Sequence, residues 1–208
     1  MEEFPDYLYR RLAEGLLLFE NPRLNEIYIL SLYIDFDSGP HRVKLWLYYN
    51  TNHHLSRSIE QGEDPEEARW NFALWEQDYM TALGLTAEEY APLADEAFHR
   101  LLADWLRGLG LYRSPEEIER MIQQEDAEEY TDWDQRVREQ LLDLFVAVAR
   151  QLQETGLVLA KFGRCIPLLI HEWDYNPWTL EATRWINPLG LAHGFEEWLL
   201  RETMGGEV

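Results

Sequence analysis

The chain is poor in cysteine and has no long apolar run. Cys165 is the only cysteine among 208 residues, so no disulfide can form within the chain, a usage typical of reducing compartments. No segment approaches the roughly 18 consecutive apolar residues that a membrane-spanning helix requires. Residues 1–6 are acidic, whereas a secretory signal begins with basic residues. We therefore expect a cytoplasmic protein that does not insert into membranes.

Basic residues are also scarce. Eighteen Lys and Arg stand against 39 Asp and Glu, which gives a formal net charge of −21. Nucleic-acid binders gain affinity when Lys and Arg displace counterions from phosphates, and anionic membranes attract basic segments, so both classes are disfavoured. The same field attracts a basic protein and can raise its association rate by about 10- to 1,000-fold. The alternative is that the acidity serves solubility alone.

The order of predicted elements indicates one α+β domain over residues 1–208. No repeat, low-complexity tract or flexible linker interrupts the chain. Apolar residues at helical spacing predict a first helix, and they are Leu8, Leu12, Leu16 and Phe19. Residues 27–34 are almost continuously apolar, and residues 43–49 alternate between apolar and polar or aromatic positions. Turn residues at 37–40 connect these two segments, so they predict an antiparallel hairpin.

The middle of the chain is predicted to be helical, and the C-terminal part adds one strand. Asp64-Pro65 and Ser114-Pro115 each place a cap acceptor before a proline, with glutamate at the third helical position. An apolar stripe indicates a long helix over residues 132–154, and residues 165–173 indicate a late strand followed by helices. The fold class is therefore α+β, a small sheet (the hairpin plus the late strand) packed on one face against several helices.

Several short motifs are similar to those of a known family. They are Leu32-Tyr33, Asn50-Thr51, Glu67-Ala68-Arg69-Trp70 and Trp75. With a closing strand that ends in an acidic residue, then Asn187-Pro188 and a terminal helix, they resemble an uncharacterised bacterial family, domain-of-unknown-function family 4303. The resemblance spans most of the chain and supports the element order above. It implies no activity, because the family has none assigned.

Histidines near strand ends suggest a metal site. His53 and His54 follow the second strand, while His171 and Asp174 close the late strand. If those strands were parallel neighbours, two imidazoles and a carboxylate would meet at one sheet edge and suit a divalent metal such as zinc. No spacing matches a known zinc motif. The alternative interpretation is that these are polar residues where strands reach water.

Two further groups have a chemical and a structural interpretation. Asp35 and Asp37 lie two residues apart. As a pair of carboxylates they could act in acid/base catalysis or bind a magnesium ion. The alternative is that they are ordinary residues of an acidic hairpin turn. Cys165 begins an apolar strand with no histidine fixed near it in sequence, so we expect a buried structural cysteine. No glycine-rich phosphate loop follows a strand. The sequence thus predicts no catalytic residue and no cofactor.

Acidic and aromatic residues give the remaining indications of function. Most of the nine tryptophans are expected in the core, with one or two exposed as surface anchors. An acidic run in the second half of the chain is typical of a solvated helix face, and is also how an inhibitor meets a basic enzyme. The partner-binding residues predicted there are Glu116, Glu117, Glu125, Asp126, Glu128, Glu129 and Trp133.

Two hypotheses of different class follow. In the first, the protein is a non-catalytic acidic binding module that captures a basic partner, in the manner of bacterial immunity proteins against nuclease toxins. In the second, it is a metal-dependent hydrolase that uses His53 or His54 with His171 and Asp174. The charge, the aromatic residues and the lack of a catalytic motif favour the binding module. The sequence does not predict an oligomeric state.

Overall fold

The structure is a computed structural model that describes residues 2–123 and 127–204. The four strands of these residues are β1 (Ile27–Asp35), β2 (Lys44–Thr51), β3 (Tyr79–Leu83) and β4 (Leu168–His171). The α-helices of the same residues are α1 (Phe4–Leu18), α2 (Asn52–Glu60), α3 (Pro65–Trp70), α4 (Ala87–Tyr90), α5 (Glu96–Gly108), α6 (Pro115–Gln123), α7 (Ala127–Glu154), α8 (Leu157–Phe162), α9 (Pro177–Ile186) and α10 (His193–Met204). This is an α+β fold, as predicted.

The strands form one mixed sheet in the order β3-β2-β1-β4. β1 and β2 are the predicted antiparallel hairpin, in which Asp35 pairs with Lys44 and Ile27 with Thr51. β4 runs parallel to β1, and His171 pairs with Tyr33. The carboxyl ends of β1 and β4 therefore meet at one edge of the sheet, while β2 ends at the opposite edge.

Strand alternation determines which residues each face of the sheet presents. On one face, apolar side chains of β1 and β2 such as Leu32 and Leu47 are buried against α1, α5 and α7. On the other face, Ile29 and Leu169 join a second cluster with aromatic residues around Phe195 of α10. The prediction that helices cover only one face is therefore wrong, because the second face is also covered near the start of β1.

Local sequence signals explain the helix starts. The Asp64 side chain accepts hydrogen bonds from the backbone N–H groups of Glu66 and Glu67 at the start of α3. At the start of α6, Ser114 and Glu117 form a reciprocal pair of side-chain to backbone hydrogen bonds. Both predicted caps are confirmed, since these side chains satisfy N–H groups that a helix cannot pair internally.

The helical prediction for the middle of the chain is wrong at β3. Tyr79 begins this edge strand, in the part of the chain that is predicted to be helical. Pairing with β2 supplies the backbone hydrogen bonds, and a five-residue strand is too short for its pattern to show in sequence. β4 is also shorter than predicted.

Within the described ranges, no helix has the length and apolar character to cross a bilayer.

Candidate functional site

A cleft opens where β1 and β4 end together. Its volume is about 460 Å³. We call it the Trp173 cleft, and its charged and aromatic lining consists of Tyr33, Phe36, Asp37, Arg138, Glu172, Trp173 and Asp174. The parallel pairing of Tyr33 with His171 brings the loops after both strands to the same place. Ligand sites in α/β sheets commonly lie outside the carboxyl ends of neighbouring parallel strands.

Trp173 is the most exposed tryptophan among the described residues, with 77% of its surface accessible. Trp173 and Asp174 also line a second cavity of about 640 Å³, so the indole lies between two cavities. Trp185 is exposed to 58%, but the Arg150 guanidinium lies 4.5 Å from its ring centroid. In the described part of the chain, no Lys or Arg lies over Trp173 in this way. With 77% of its surface accessible, the Trp173 indole can contact a ligand.

Aromatic rings continue from the cleft across the second sheet face, where Tyr33, Trp46 and Tyr48 are half-buried. We call this set the aromatic strip, formed by Trp173, Tyr33, Tyr48, Trp46 and Tyr79. Neighbouring ring centroids are 6.4 Å apart for Trp173 and Tyr33, 6.3 Å for Tyr33 and Tyr48, and 5.1 Å for Trp46 and Tyr79. Because residues at alternate strand positions share a face, β1 and β2 place these rings side by side.

Carboxylates surround the Trp173 cleft. Asp37, Glu172 and Asp174 line it, against one guanidinium from Arg138. Arg138 is already paired, since its Nε lies 2.6 Å from the Asp134 carboxylate and its Nη1 lies 3.3 Å from Glu172. Burial raises the pKa of Glu172, against the lowering effect of Arg138. The cleft is therefore net negative and retains acceptor oxygens for a cationic group.

The Tyr33 hydroxyl is held in its protonated form at neutral pH. Burial, followed by the charges of Asp35 and Asp37, raises the pKa of Tyr33 to about 12. Negative charge near a phenol disfavours the phenolate. Tyr33 therefore offers an O–H donor beside the carboxylates, together with an aromatic ring that packs 5.6 Å from Phe72.

His171 lies directly behind this surface and is fully buried. Its Nδ1 is 2.5 Å from the Glu172 carbonyl oxygen, and its Nε2 is 2.7 Å from the Ser31 hydroxyl. A carbonyl only accepts, so Nδ1 carries the proton and Nε2 accepts from Ser31. Burial lowers the pKa of His171 to about 4, so the ring is neutral. The imidazole holds the end of β4 in place and has no access to solvent.

The predicted metal site does not form. β2 runs antiparallel to β1 and β4 runs parallel to it, so the residues after β2 and after β4 leave from opposite ends of β1. His54 is held by the Leu74 carbonyl oxygen at 2.9 Å, whereas His171 is held by Ser31. His53 and Asp174 are exposed. Among residues 2–123 and 127–204, no group of three or more His, Cys, Asp or Glu is placed to hold a metal ion.

Only some of the predicted partner-binding residues are exposed in the structure. The exposed acids are Glu116 and Glu117 on α6 and Glu128 and Glu129 on α7. Glu125 and Asp126 lie outside the described residues. Trp133, the expected aromatic anchor, is 1% exposed and donates its indole N–H to the Leu111 carbonyl oxygen at 2.8 Å. Its position on the apolar side of α7 places it in the core, so this anchor prediction is wrong.

The structure also gives the positions of Cys165 and of the pair Asp35 and Asp37. Cys165 is exposed rather than buried, because the short strand β4 begins three residues later and leaves it in a loop. Asp35 accepts a hydrogen bond from the Asp37 backbone N–H at 2.8 Å and lies 3.7 Å from Lys44. Asp35 thus serves the turn and an ion pair, and only Asp37 lines the cleft.

Sequence reasoning missed Tyr33, Trp46 and Tyr48 as surface residues of one site. The available signal was the alternation in β2, where Trp46 and Tyr48 take the positions opposite the buried leucines. Aromatic residues at the polar positions of a strand indicate a face reserved for a ligand or a second layer. The expectation of one or two exposed tryptophans is confirmed by Trp173 and Trp185.

In comparisons with protein-family models, with curated proteins and with solved structures, nothing matches this chain. The resemblance to domain-of-unknown-function family 4303 therefore stays a prediction, and the functional proposal depends on the geometry of the site.

Proposed function

We propose that the protein is a non-catalytic acidic binding module, and that the Trp173 cleft with the aromatic strip is the surface on which it captures a basic partner protein. The observation that carries this proposal is Trp173 itself, an indole exposed to 77% beside Asp37, Glu172 and Asp174. A basic enzyme such as a nuclease is the kind of partner that this surface suits, with the module acting as its inhibitor.

Aromatic rings and carboxylates together select a cationic side chain. A guanidinium or ammonium over an indole is stabilised by about 0.5–2 kcal/mol, more when water is excluded. An arginine guanidinium also donates two parallel N–H···O hydrogen bonds to one carboxylate through its planar fork. Trp173 supplies the ring, while Asp174 and Glu172 supply acceptors on either side of it in sequence. An arginine of the partner placed in the cleft satisfies both conditions.

The charge of the whole chain supports fast association. A net charge of −21 attracts a cationic protein over distances of about one Debye length, roughly 8 Å at physiological salt. This attraction brings the partner close but does not fix its orientation. Orientation comes from the aromatic strip, whose rings lie across β1, β2 and β3, because large rigid side chains dominate binding energy at protein interfaces.

The test measures affinity for a defined cationic probe by isothermal titration calorimetry. The probe is a short arginine-rich peptide, and its counterpart has glutamate in place of arginine. We expect saturable binding of the arginine peptide only. Trp173→Ala should weaken it about tenfold or more, and Asp174→Asn by about three- to tenfold.

Trp185→Ala is the matched control, because Trp185 is exposed but covered by Arg150. We expect less than about a twofold change for that variant. A second control, Glu128→Gln with Glu129→Gln, removes two exposed acids away from the cleft. Equal losses for Trp173→Ala and Trp185→Ala, or equal binding of the glutamate peptide, would disprove a specific site at the cleft.

A further inference from the structure

A cavity of about 560 Å³ lies away from the Trp173 cleft, between α5, the start of α6 and the turn before β2. Among the described residues, its lining contains Arg42, Lys44 and Arg113, two histidines and two acids, Glu88 and Glu89. In a chain with a net charge of −21 this local excess of cations is unusual. Three cations against two acids give these lining residues a formal charge of +1, opposite in sign to that of the whole chain.

Neither of these two acids forms an ion pair with Arg42 or Arg113. Glu89 lies 2.6 Å from Lys44 and also accepts hydrogen bonds from Thr86, so its charge is already paired. Lys44 holds the pKa of the Glu89 carboxyl at about 2. Among the described residues, no carboxylate lies within ion-pair distance of Arg42 or Arg113. The Arg113 Nη1 donates to the Tyr112 carbonyl oxygen at 3.0 Å, and no residue in 2–123 or 127–204 accepts from its other N–H groups.

Two ring nitrogens in the cavity lining are buried without partners. They are Nδ1 of His41 and Nε2 of His99, neither of which has a hydrogen-bond partner among the described residues. Burial, followed by the charge of Arg42, lowers the pKa of His41, so its ring is neutral and can donate one N–H. A buried polar atom without a partner costs about 1–3 kcal/mol, so each such atom in a native structure needs an explanation, for example a bound water or ion.

The remaining wall of the cavity is apolar and aromatic. Leu102 and Leu106 of α5 line it together with Tyr112 and Trp133. The His41 ring lies 6.1 Å from the Trp133 ring, so the polar and aromatic parts of the lining adjoin. Small-molecule sites combine an apolar wall with a few placed polar groups in this way. The cavity volume also falls in the range of such sites, about 300–1,000 Å³.

We propose that this cavity is a binding site for a small organic oxyanion, a carboxylate or phosphate carried on an aromatic or apolar body. Arg42 and Arg113 bind the anionic oxygens, and the imidazole N–H groups of His41 and His99 are further donors. The ring of Tyr112 and the side chains of Leu102 and Leu106 form the wall against the body of the ligand. This site is independent of the Trp173 cleft, with which it shares no lining residue.

The test uses four probes: benzoate, phenyl phosphate, inorganic phosphate and benzylamine. Titrations are followed by heteronuclear NMR, with nuclear Overhauser contacts from the probe ring to the methyl groups of Leu102 and Leu106. We expect benzoate, phenyl phosphate or both to bind saturably with these contacts, at least about tenfold tighter than inorganic phosphate. The tighter of the two identifies the anion. Benzylamine should not bind.

Arg42→Gln and Arg113→Gln should each weaken the binding about tenfold or more, whereas Arg100→Gln should leave it within about twofold. Arg100 is the matched control because it is exposed on α5 and does not line the cavity. Trp173→Ala should also leave anion binding unchanged, which separates this proposal from the proposed function. The proposal is overturned if neither aromatic anion binds, if both Arg variants bind as the wild type does, or if benzylamine binds equally well.

Discussion

At the scale of single residues, the proposed binding surface depends on a neutral imidazole buried behind it. His171 is hydrogen-bonded at both ring nitrogens and lies 4.9 Å from the Phe72 ring and 4.8 Å from the Tyr175 ring. Protonating it places a charge in an aromatic environment, and no carboxylate of the described residues forms an ion pair with it. The cost of that charge links the stability of the fold to pH.

We predict that His171 makes the protein less stable in mild acid. Its pKa is about 4 in the folded state against an ordinary value of 6.5. Between these values the unfolded chain binds more protons, so stability falls as pH falls from about 6.5 to about 4 and is fully present above that range. Urea unfolding near pH 7 and near pH 5 should show the wild type losing about 2 kcal/mol more than His171→Gln.

His53→Gln is the control for this prediction, because His53 is exposed. It should keep the wild-type dependence of unfolding free energy on pH. If His171→Gln also keeps that dependence, the imidazole is not buried neutral as described.

At the scale of elements, one asparagine fixes the edge strand that carries the cleft. Asn187 Nδ2 donates to the carbonyl oxygens of Leu168 and Thr183 at 2.7 and 2.8 Å. Its Oδ1 accepts from the Leu168 N–H and from Gln153 at 2.9 and 3.0 Å. A side-chain amide thus takes the place of a neighbouring strand at the start of β4. The strand is only four residues long, so this anchoring matters.

We therefore predict that Asn187→Asp destabilises the fold by about 3 kcal/mol or more, since it removes two donors and buries a charge against carbonyl oxygens. The free energy of unfolding in urea measures the effect. Asn25→Asp, at an exposed position, should change it by less than about 0.5 kcal/mol. A small effect at Asn187 would mean that β4 is held by its pairing with β1 alone.

A second element-scale prediction concerns the junction after β3. Gly84 has φ of +79°, and a Cβ there would meet the Val43 carbonyl oxygen. Gly110 has φ of +70° with open space around it, so it is subject to the same backbone restriction without the contact. Gly110→Ala should cost about 1–2 kcal/mol, and Gly84→Ala about 1–3 kcal/mol more. Equal losses in thermal or urea unfolding would contradict this packing of β3 on β2.

These elements show what the sequence could and could not predict. The hairpin and the caps at Asp64 and Ser114 follow from local patterns, because alternation and capping act within a few residues. β3 and the role of Asn187 depend on partners far away in the chain, to which no local pattern refers. The site was missed for the same reason: Tyr33, Trp46 and Trp173 come together only through the parallel pairing of β1 with β4 and the antiparallel hairpin.

At the scale of the whole molecule, the net charge of −21 should act on stability and on binding with opposite signs. Like charges repel in the compact state, so screening by salt should raise the free energy of unfolding. The same screening weakens attraction of a cationic partner. Across low, physiological and high salt we expect the unfolding midpoint in urea to rise while the affinity for the arginine-rich peptide falls. Affinity that is independent of salt would exclude binding through exposed charge.

The most direct test of the proposed surface is to observe which tryptophan the basic probe reaches. The nine indole N–H groups can be followed together by NMR while the arginine-rich peptide is added. We predict that the Trp173 signal shifts first and saturates with the calorimetric affinity, with smaller shifts at Trp46 and none at Trp185. Saturable binding that shifts Trp185 and leaves Trp173 unchanged would contradict the account.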